Sequence, residues 1–355
     1  MDRTQFQTRA RFRFALRRQK IPDGATLLVA VSGGRDSMVL LDLTRREAER
    51  RGWHLWVVHV NHDLHAESGA TANQVRDQAR HWGLSSLGFR ARSGLWNRKA
   101  RSEENARRFR YAAFARAITR VDADFVLLGH HQQDQAETLL LRLFRGSGAR
   151  GLAAMAERRG PYVRPLLEIG ASEIRHWAHS EHLEFREDPT NRDPAFTRNQ
   201  LRHQLWPELE RFQGPNLARV LARTSAALRI TAEHIDQEAA RTWEALGPQI
   251  DTSSIRLDRP RLATYDRAIV EAVLRRASRK LLGTKRDLGR APVAAVAAAV
   301  FANHPKNFHL PSGLRVFVNA SEVRLVDCGD EKLSKGRLSA SNRMQGKNPE
   351  KNRRN

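Results

Sequence analysis

The first half of the chain alternates short apolar or β-rich runs with segments of helical spacing. Leu27 to Val31, His54 to Val60, Leu87 to Ala91 and Phe125 to Leu128 read as strands; Asp36 to Ala48, Ala70 to Trp82 and Ser102 to Thr119 read as helices. Strands and helices in alternation predict an α/β fold with a parallel, doubly wound sheet. Ligands of such a sheet sit beyond the carboxyl ends of its strands, so the residues that follow each strand should converge on one crevice. From Trp206-Pro207 the pattern turns helical, over Leu217 to Ala239, Tyr265 to Leu282 and Pro292 to Phe301. Phe308 to Val326 then reads as a hairpin turning at Asn319-Ala-Ser321. The pattern divides the chain into an α/β domain over 1–210, a smaller helical or α+β domain over 211–328, and a tail over 329–355. That tail is rich in Lys and Arg, lacks aromatic residues and is expected to be disordered.

Composition sharpens this picture in three ways. The 62 Lys plus Arg against 39 Asp plus Glu leave a formal charge of +23, which points to a polyanionic partner, most simply nucleic acid. The single cysteine, Cys328, allows no disulfide framework and no cysteine-based zinc or iron-sulfur site from this chain alone. No apolar run approaches the ~18 residues of a membrane-spanning helix. Met1 to Lys20 is basic enough to pass for an organellar transit peptide. Phe12, Phe14, Ala15 and Leu16 nevertheless lead straight into the Pro22-Asp-Gly24 turn, which favours a first amphipathic helix and a reducing bacterial cytoplasm.

Three polar clusters follow the strands. Ser32-Gly-Gly-Arg-Asp-Ser37 joins the first strand to its helix; two glycines let backbone amides curl around one anion, and Ser32 and Ser37 add hydroxyl donors. It is neither a Gly-x-Gly-x-x-Gly fingerprint nor a Gly-x-x-x-x-Gly-Lys-Ser/Thr loop, and neither serine is centred in a Gly-x-Ser-x-Gly elbow. After the second strand comes His59-Val-Asn-His-Asp-Leu64. Its histidines, with His65, fit hydrogen bonding near a base or ribose better than a zinc site. After the fourth comes Gly129-His-His-Gln-Gln-Asp-Gln-Ala-Glu-Thr138. If a helix starts near Gln132, Asp134 and Glu137 share a face and can hold magnesium, or they simply complement the helix dipole. His130 and His131 are candidates for a nucleotide contact, a general base or a buried tautomer-locked ring. Arg107 and Arg110 could contact phosphate or solvate a helix face, and Arg145 to Gly151 could cradle phosphate or cap a helix.

The loop Ser32 to Ser37 resembles the PP-loop of the ATP pyrophosphatases, which split ATP between the α- and β-phosphates and adenylate their substrate. Three further motifs follow it: His130-His-x-x-Asp-Gln-Ala-Glu-Thr138, Leu140-x-Arg-Leu-x-Arg-Gly-Ser-Gly148 and Glu187-Asp-Pro-Thr-Asn-Arg-Asp-Pro-Ala-Phe-Thr-Arg-Asn-Gln-Leu-Arg202. The series resembles the tRNA(Ile)-lysidine synthetases over about residues 20 to 210. The resemblance implies ATP-dependent ligation of free lysine to C2 of the wobble cytidine in a CAU-anticodon tRNA(Ile), through an adenylated tRNA. It implies ATP held by Ser32, Gly33, Gly34, Arg35, Asp36, Ser37 and His59. Magnesium would sit on Asp36, Asp134 or Glu137. His130 would be the base, with Arg107 among the catalytic groups, and Arg198, Asn199 and Arg202 would line the lysine and tRNA side. The resemblance also implies a homodimer. Two departures stand out: Gln133 occupies a position that is commonly acidic, and Leu64-His65 replaces Leu-Arg. The rivals are a PP-loop tRNA thiolase, which generally needs cysteines, a noncatalytic RNA-binding protein of the same fold, and a ligase of free amino acids.

Overall fold

The computed structural model describes residues 2–63, 68–91, 103–186, 193, 196–283, 288–302 and 305–329. The tail beyond 329, His65 and most of the 187–195 motif lie outside them. The described chain divides into two compact units, one up to Arg229 and one from Ile230 onward.

In the first unit, α1 (Arg3–Arg18) opens with a capping box: Asp2 accepts from the Gln5 amide at 2.9 Å, and Gln5 accepts from the Asp2 amide at 2.8 Å. Its face Phe12, Ala15 and Leu16 is buried, whereas Phe14 points outward under the Arg18 guanidinium. Truncating the fully buried Phe12 would cost about 3–5 kcal/mol. β1 (Thr26–Ala30), α2 (Arg35–Arg51), β2 (His54–Asn61), α3 (Ser68–His81), β3 (Ser85–Arg90), α4 (Glu103–Val121), β4 (Phe125–Leu127) and α5 (Gln132–Phe144) follow in the expected alternation. Next come α6 (Ala149–Leu152), β5 (Arg158–Arg159), β6 (Tyr162–Val163), α7 (Ala171–Ser180), α8 (Thr197–Gln200), a π-helical turn (Leu201–Leu205) and α9 (Trp206–Gln213).

The sheet order is β3-β2-β1-β4-β6-β5, parallel throughout except for β5. Because β1 is buried on both faces, its apolar run is continuous rather than alternating. Leu27 and Val29 pack with Met38, Leu40 and Trp177 on one face. Leu28 packs on the other with Val58, Val126 and Phe114. A third cluster joins Leu139 and Leu140 of α5 to Leu201, Trp206 and Leu217.

α10 (Leu217–Leu246) leads into the second unit. There β7 (Gln249–Ile250), β8 (Ser254–Asp258), α11 (Arg259–Leu262), α12 (Arg267–Leu282), α13 (Arg290–Phe301), β9 (Lys306–His309), β10 (Leu314–Val318) and β11 (Glu322–Asp327) build an antiparallel sheet of order β7-β8-β11-β10-β9. The expected hairpin is β10–β11; Asn319 Oδ1 accepts from the amides of Ser321 and Glu322 at 2.9 and 2.7 Å and fixes its turn. Alternate residues of the sheet, including Leu257, Val316 and Leu325, bury against Val273 of α12 and Val296 of α13. No helix among the described residues is long and apolar enough to cross a membrane.

Candidate active site

The phosphate-loop candidate hangs between β1 and α2 and is braced from within. The Ser32 amide donates to Ser37 Oγ at 3.1 Å, and the buried Ser37 hydroxyl donates to the Gly34 carbonyl at 2.8 Å. Gly33 needs to be glycine for two reasons: its φ is +92°, and a Cβ there would meet Thr71 Cγ2 of α3 at 2.5 Å. Gly34 caps α2 with no side-chain oxygen, which leaves the first amides of the helix available to an anion in the crevice. Two neighbours hold the loop from outside. Gly129, after β4, lies so close that a Cβ would sit 3.4 Å from the Asp36 carbonyl carbon. The Arg186 amide donates to the Gly33 carbonyl at 3.0 Å, which ties the segment after α7 to the loop.

His59, at the end of β2, is buried and donates Nδ1–H toward the Val31 carbonyl at 2.8 Å. Burial pushes its pKa down against the pull of that carbonyl. The ring therefore buttresses the base of the loop rather than standing open to it. Arg35 leans on Asp36 at 3.4 Å.

Asp36 and the acids of α5 meet at His131. The Gln133 amide donates to His131 Nδ1 at 3.2 Å, so the ring proton belongs on Nε2, which faces Asp36 Oδ2 at 3.4 Å and Asp134 Oδ2 at 3.6 Å. Burial disfavours the charged ring, but Asp134 and Asp36 together outweigh it and raise its pKa. In return, His131 lowers Asp36 against both burial and the repulsion of Asp134. Asp134 is lowered too: His131, Arg198, His130 and Arg202 overcome its burial. The neighbouring His130 behaves oppositely, because burial pushes its pKa down to about 3 and the cations Arg164, Arg198 and Arg110 assist. Its Nδ1 is buried without a partner.

Arg198 and Arg202, from α8 and the π-helical turn, close the cluster. Arg198 donates to Glu137 Oε2 at 2.8 Å and Asp134 Oδ1 at 2.7 Å; Arg202 donates to Glu137 Oε1 at 2.7 Å and Asp134 Oδ1 at 3.1 Å. Burial alone would weaken Arg202 as a cation, and Glu137 and Asp134 more than restore it. Glu137 is completely buried with both oxygens engaged. Asp134 keeps 14% of its side chain accessible and Asp36 keeps 34%. Asn199 instead staples its own loop, donating Nδ2–H to the Asp193 carbonyl at 2.9 Å.

The family resemblance implies magnesium, and the donor set can be tested against it. No three His, Cys, Asp or Glu side chains among the described residues are grouped to hold a metal ion. Magnesium bound through nucleotide phosphates needs only one or two carboxylates. Asp36 fits that requirement, with Asp134 beside it offering only part of Oδ2, because its Oδ1 takes both arginines and its Oδ2 accepts from the His131 amide at 2.9 Å; Glu137 is saturated by Arg198 and Arg202. Arg107 lies elsewhere on α4, exposed, with its guanidinium 4.8 Å above the Tyr111 ring. The structure therefore brings Ser32 to Ser37, Asp36, His130, Asp134, Glu137, Arg198 and Arg202 to one end of the sheet. The bridging role of His131 was not singled out from sequence; the Asp at i+3 from it was the available signal.

Three comparisons extend this geometry. A PP-loop domain model matches residues 6–209. The chain is 40% identical over 266 residues to a tRNA(Ile)-lysidine synthase of Thermobifida fusca, covering 74% of this chain and 80% of that one. It is 34% identical over 315 residues to one of Salinispora tropica, covering 87% and 93%. Among solved structures, the U34-tRNA thiolase NcsA of Methanococcus maripaludis superposes with a TM-score of 0.54 at 17% identity, over 62% of this chain and 77% of that one, a likeness of fold alone.

Proposed function

The chain belongs to the tRNA(Ile)-lysidine synthase family of PP-loop proteins, and from that premise we propose that it forms lysidine on the CAU-anticodon tRNA(Ile), using ATP and free lysine in a bacterial cytoplasm. The observation that carries this reading is the joining of a Ser32–Ser37 anion loop to the Asp36–His131–Asp134 bridge at the same strand ends. In the first step, O2 of the wobble cytidine attacks the α-phosphorus of ATP, the bond to the β-phosphate oxygen breaks and pyrophosphate leaves. The amides of Gly33 and Gly34 and the hydroxyls of Ser32 and Ser37 receive its growing charge. Magnesium, held by Asp36 and Asp134, would supply charge neutralisation at the phosphates. In the second step, the neutral ε-amine of lysine attacks C2, loses a proton, and AMP departs with O2.

His130, with its pKa pushed to about 3, is too weak a base to retain the proton of an ammonium at neutral pH. Its part is to orient the amine as a neutral hydrogen-bonding ring. Glu137 acts through Arg198 and Arg202, which it holds at the edge of the site; Arg202, Arg198 and Asn199 shape the lysine and tRNA side, and Arg107 meets RNA. A thiolation reading lacks its usual cysteines, since the chain has only Cys328.

Incubation with ATP, magnesium, labelled lysine and CAU-anticodon tRNA(Ile) tests the proposal. Label that depends on ATP and survives mild alkaline deacylation is expected, because an ester would be lost. Absence of stable label while ATP and tRNA still bind would overturn it.

A further inference from the structure

A basic surface leads away from the carboxyl end of β6. Arg164, the residue after that strand, is buried and donates to the Ala156 carbonyl at 2.9 Å and the Tyr111 hydroxyl at 3.3 Å. Arg107 reaches the same hydroxyl at 3.5 Å while stacked over its ring. Arg142, near the end of α5, donates to the carbonyls of Gly151 and Ala154 at 2.7 and 2.9 Å. All these partners are neutral. Burial and the charges of Arg107, Arg145, Arg159 and Arg229 lower the pKa of Arg142, and Arg107 and Arg159 act in the same direction on Arg164. Arg107, Arg145 and Arg159 are exposed, and none forms an ion pair with a carboxylate among the described residues. Arg159 pairs with Tyr162 across β5 and β6, and the Tyr162 ring lies 4.8 Å from the Tyr111 ring that carries Arg107, so these arginines gather on one surface without a carboxylate partner among the described residues.

The end of α5, immediately before Arg145 in the chain, carries surplus apolar area. α5 buries Ala136, Leu139 and Leu140, yet Leu143 and Phe144 at its end are 49% and 62% exposed. A wet aromatic ring next to unpaired arginines calls for a partner that offers anions and flat apolar faces together. A nucleic-acid strand does so: phosphates suit guanidinium forks, and every base has a face to stack.

We infer that Arg107, Arg145, Arg159 and Phe144 form a docking track for an unpaired stretch of the RNA substrate, with the arginines on its phosphates and Phe144 under one of its bases. This inference rests on the reading of the chain as a tRNA-modifying enzyme. It adds a place where the RNA is gripped outside the reaction crevice.

The test is fluorescence anisotropy of labelled CAU-anticodon tRNA(Ile) across a salt series, with wild type, an Arg145→Ala/Arg159→Ala double variant, Phe144→Ala and Phe144→Trp. The double variant should flatten the slope of log affinity against log salt by roughly 1.4, one lost phosphate contact of an unpaired strand per arginine. Phe144→Ala should weaken binding about tenfold at every salt concentration without changing the slope, and Phe144→Trp should restore it. Thermal melts and ATP binding by equilibrium dialysis should stay at wild-type values. If wild type binds tRNA and ligates lysine while both alanine variants match its affinity and slope, the track is overturned and the lysidine reading stands. If the variants lose binding as described but wild type forms no lysidine, the track stands and the lysidine reading falls.

Discussion

The two flanks of the crevice are built on opposite electrostatic plans. The Ser32–Ser37 loop is made of main chain and hydroxyls, braced by its own hydrogen bonds, with the first amides of α2 free of a side-chain cap. The α5 flank is made of charged side chains that already neutralise each other: Asp134 and Glu137 against Arg198 and Arg202, with His131 shared between Asp134 and Asp36. The first flank is preorganised for an anion it does not supply. The second is a self-neutralised cluster whose accessible acidic edge is Asp36 with part of Asp134. Room for an anion therefore lies on the uncompensated flank, and the compensated one is held by its own charges.

Breaking the compensated flank should have the largest effect. Glu137→Gln strips the charge from a fully buried carboxylate and leaves Arg198 and Arg202, themselves part-exposed, short of a partner; a loss of about 3 kcal/mol in denaturant melts is expected. Unchanged stability with a weakened magnesium response would instead make Glu137 a metal ligand. Gly33→Ala attacks the other flank through its positive φ and the contact with Thr71, and should slow tRNA-dependent pyrophosphate release by about 10²- to 10³-fold, with a loss of about 1–3 kcal/mol in the melt from the strained backbone. Asp36→Asn falls between the flanks. It should raise the magnesium needed for half-maximal turnover at least about tenfold, since even groups behind a metal ligand are worth that much.

The smallest effect is on pH dependence, where adjacent histidines should differ in sign. His130 is held neutral, so its contribution to stability is complete above the unfolded value of 6.5 and drains as pH falls toward about 3. His131 has a raised pKa, so its contribution is complete below 6.5 and is lost as pH climbs through the folded value. Histidine NMR titrations would show one ring neutral throughout the neutral range and the other taking up its proton above pH 6.5; two rings titrating together would refute the bridge.

The parallel core was legible in sequence because its signals are local. A continuous apolar run at Leu27–Val31, broken by Gly33-Gly34 and resumed at helical spacing, contains both the strand and its turn. β5 and β6 were not legible: each has two residues, and Arg158-Arg159 and Tyr162-Val163 become strands only by pairing with each other and with β4. β8 was missed as well, because Ser254–Asp258 alternates across too few residues to stand out from its polar surroundings. At the site, the acids of α5 were readable as a helix face. Their capture by Arg198 and Arg202 was not, since those partners lie more than 60 residues away in the chain. The assignment of reaction came from family likeness, which no spacing argument could replace.

The bond from the Arg186 amide to the Gly33 carbonyl is a constraint on the main chain alone. Any side chain at 186 can supply that donor except proline, which has none. Position 186 should therefore drift freely through the other amino acids in evolution while rejecting that one, a pattern of substitution that marks a residue as indispensable without ever marking it as conserved.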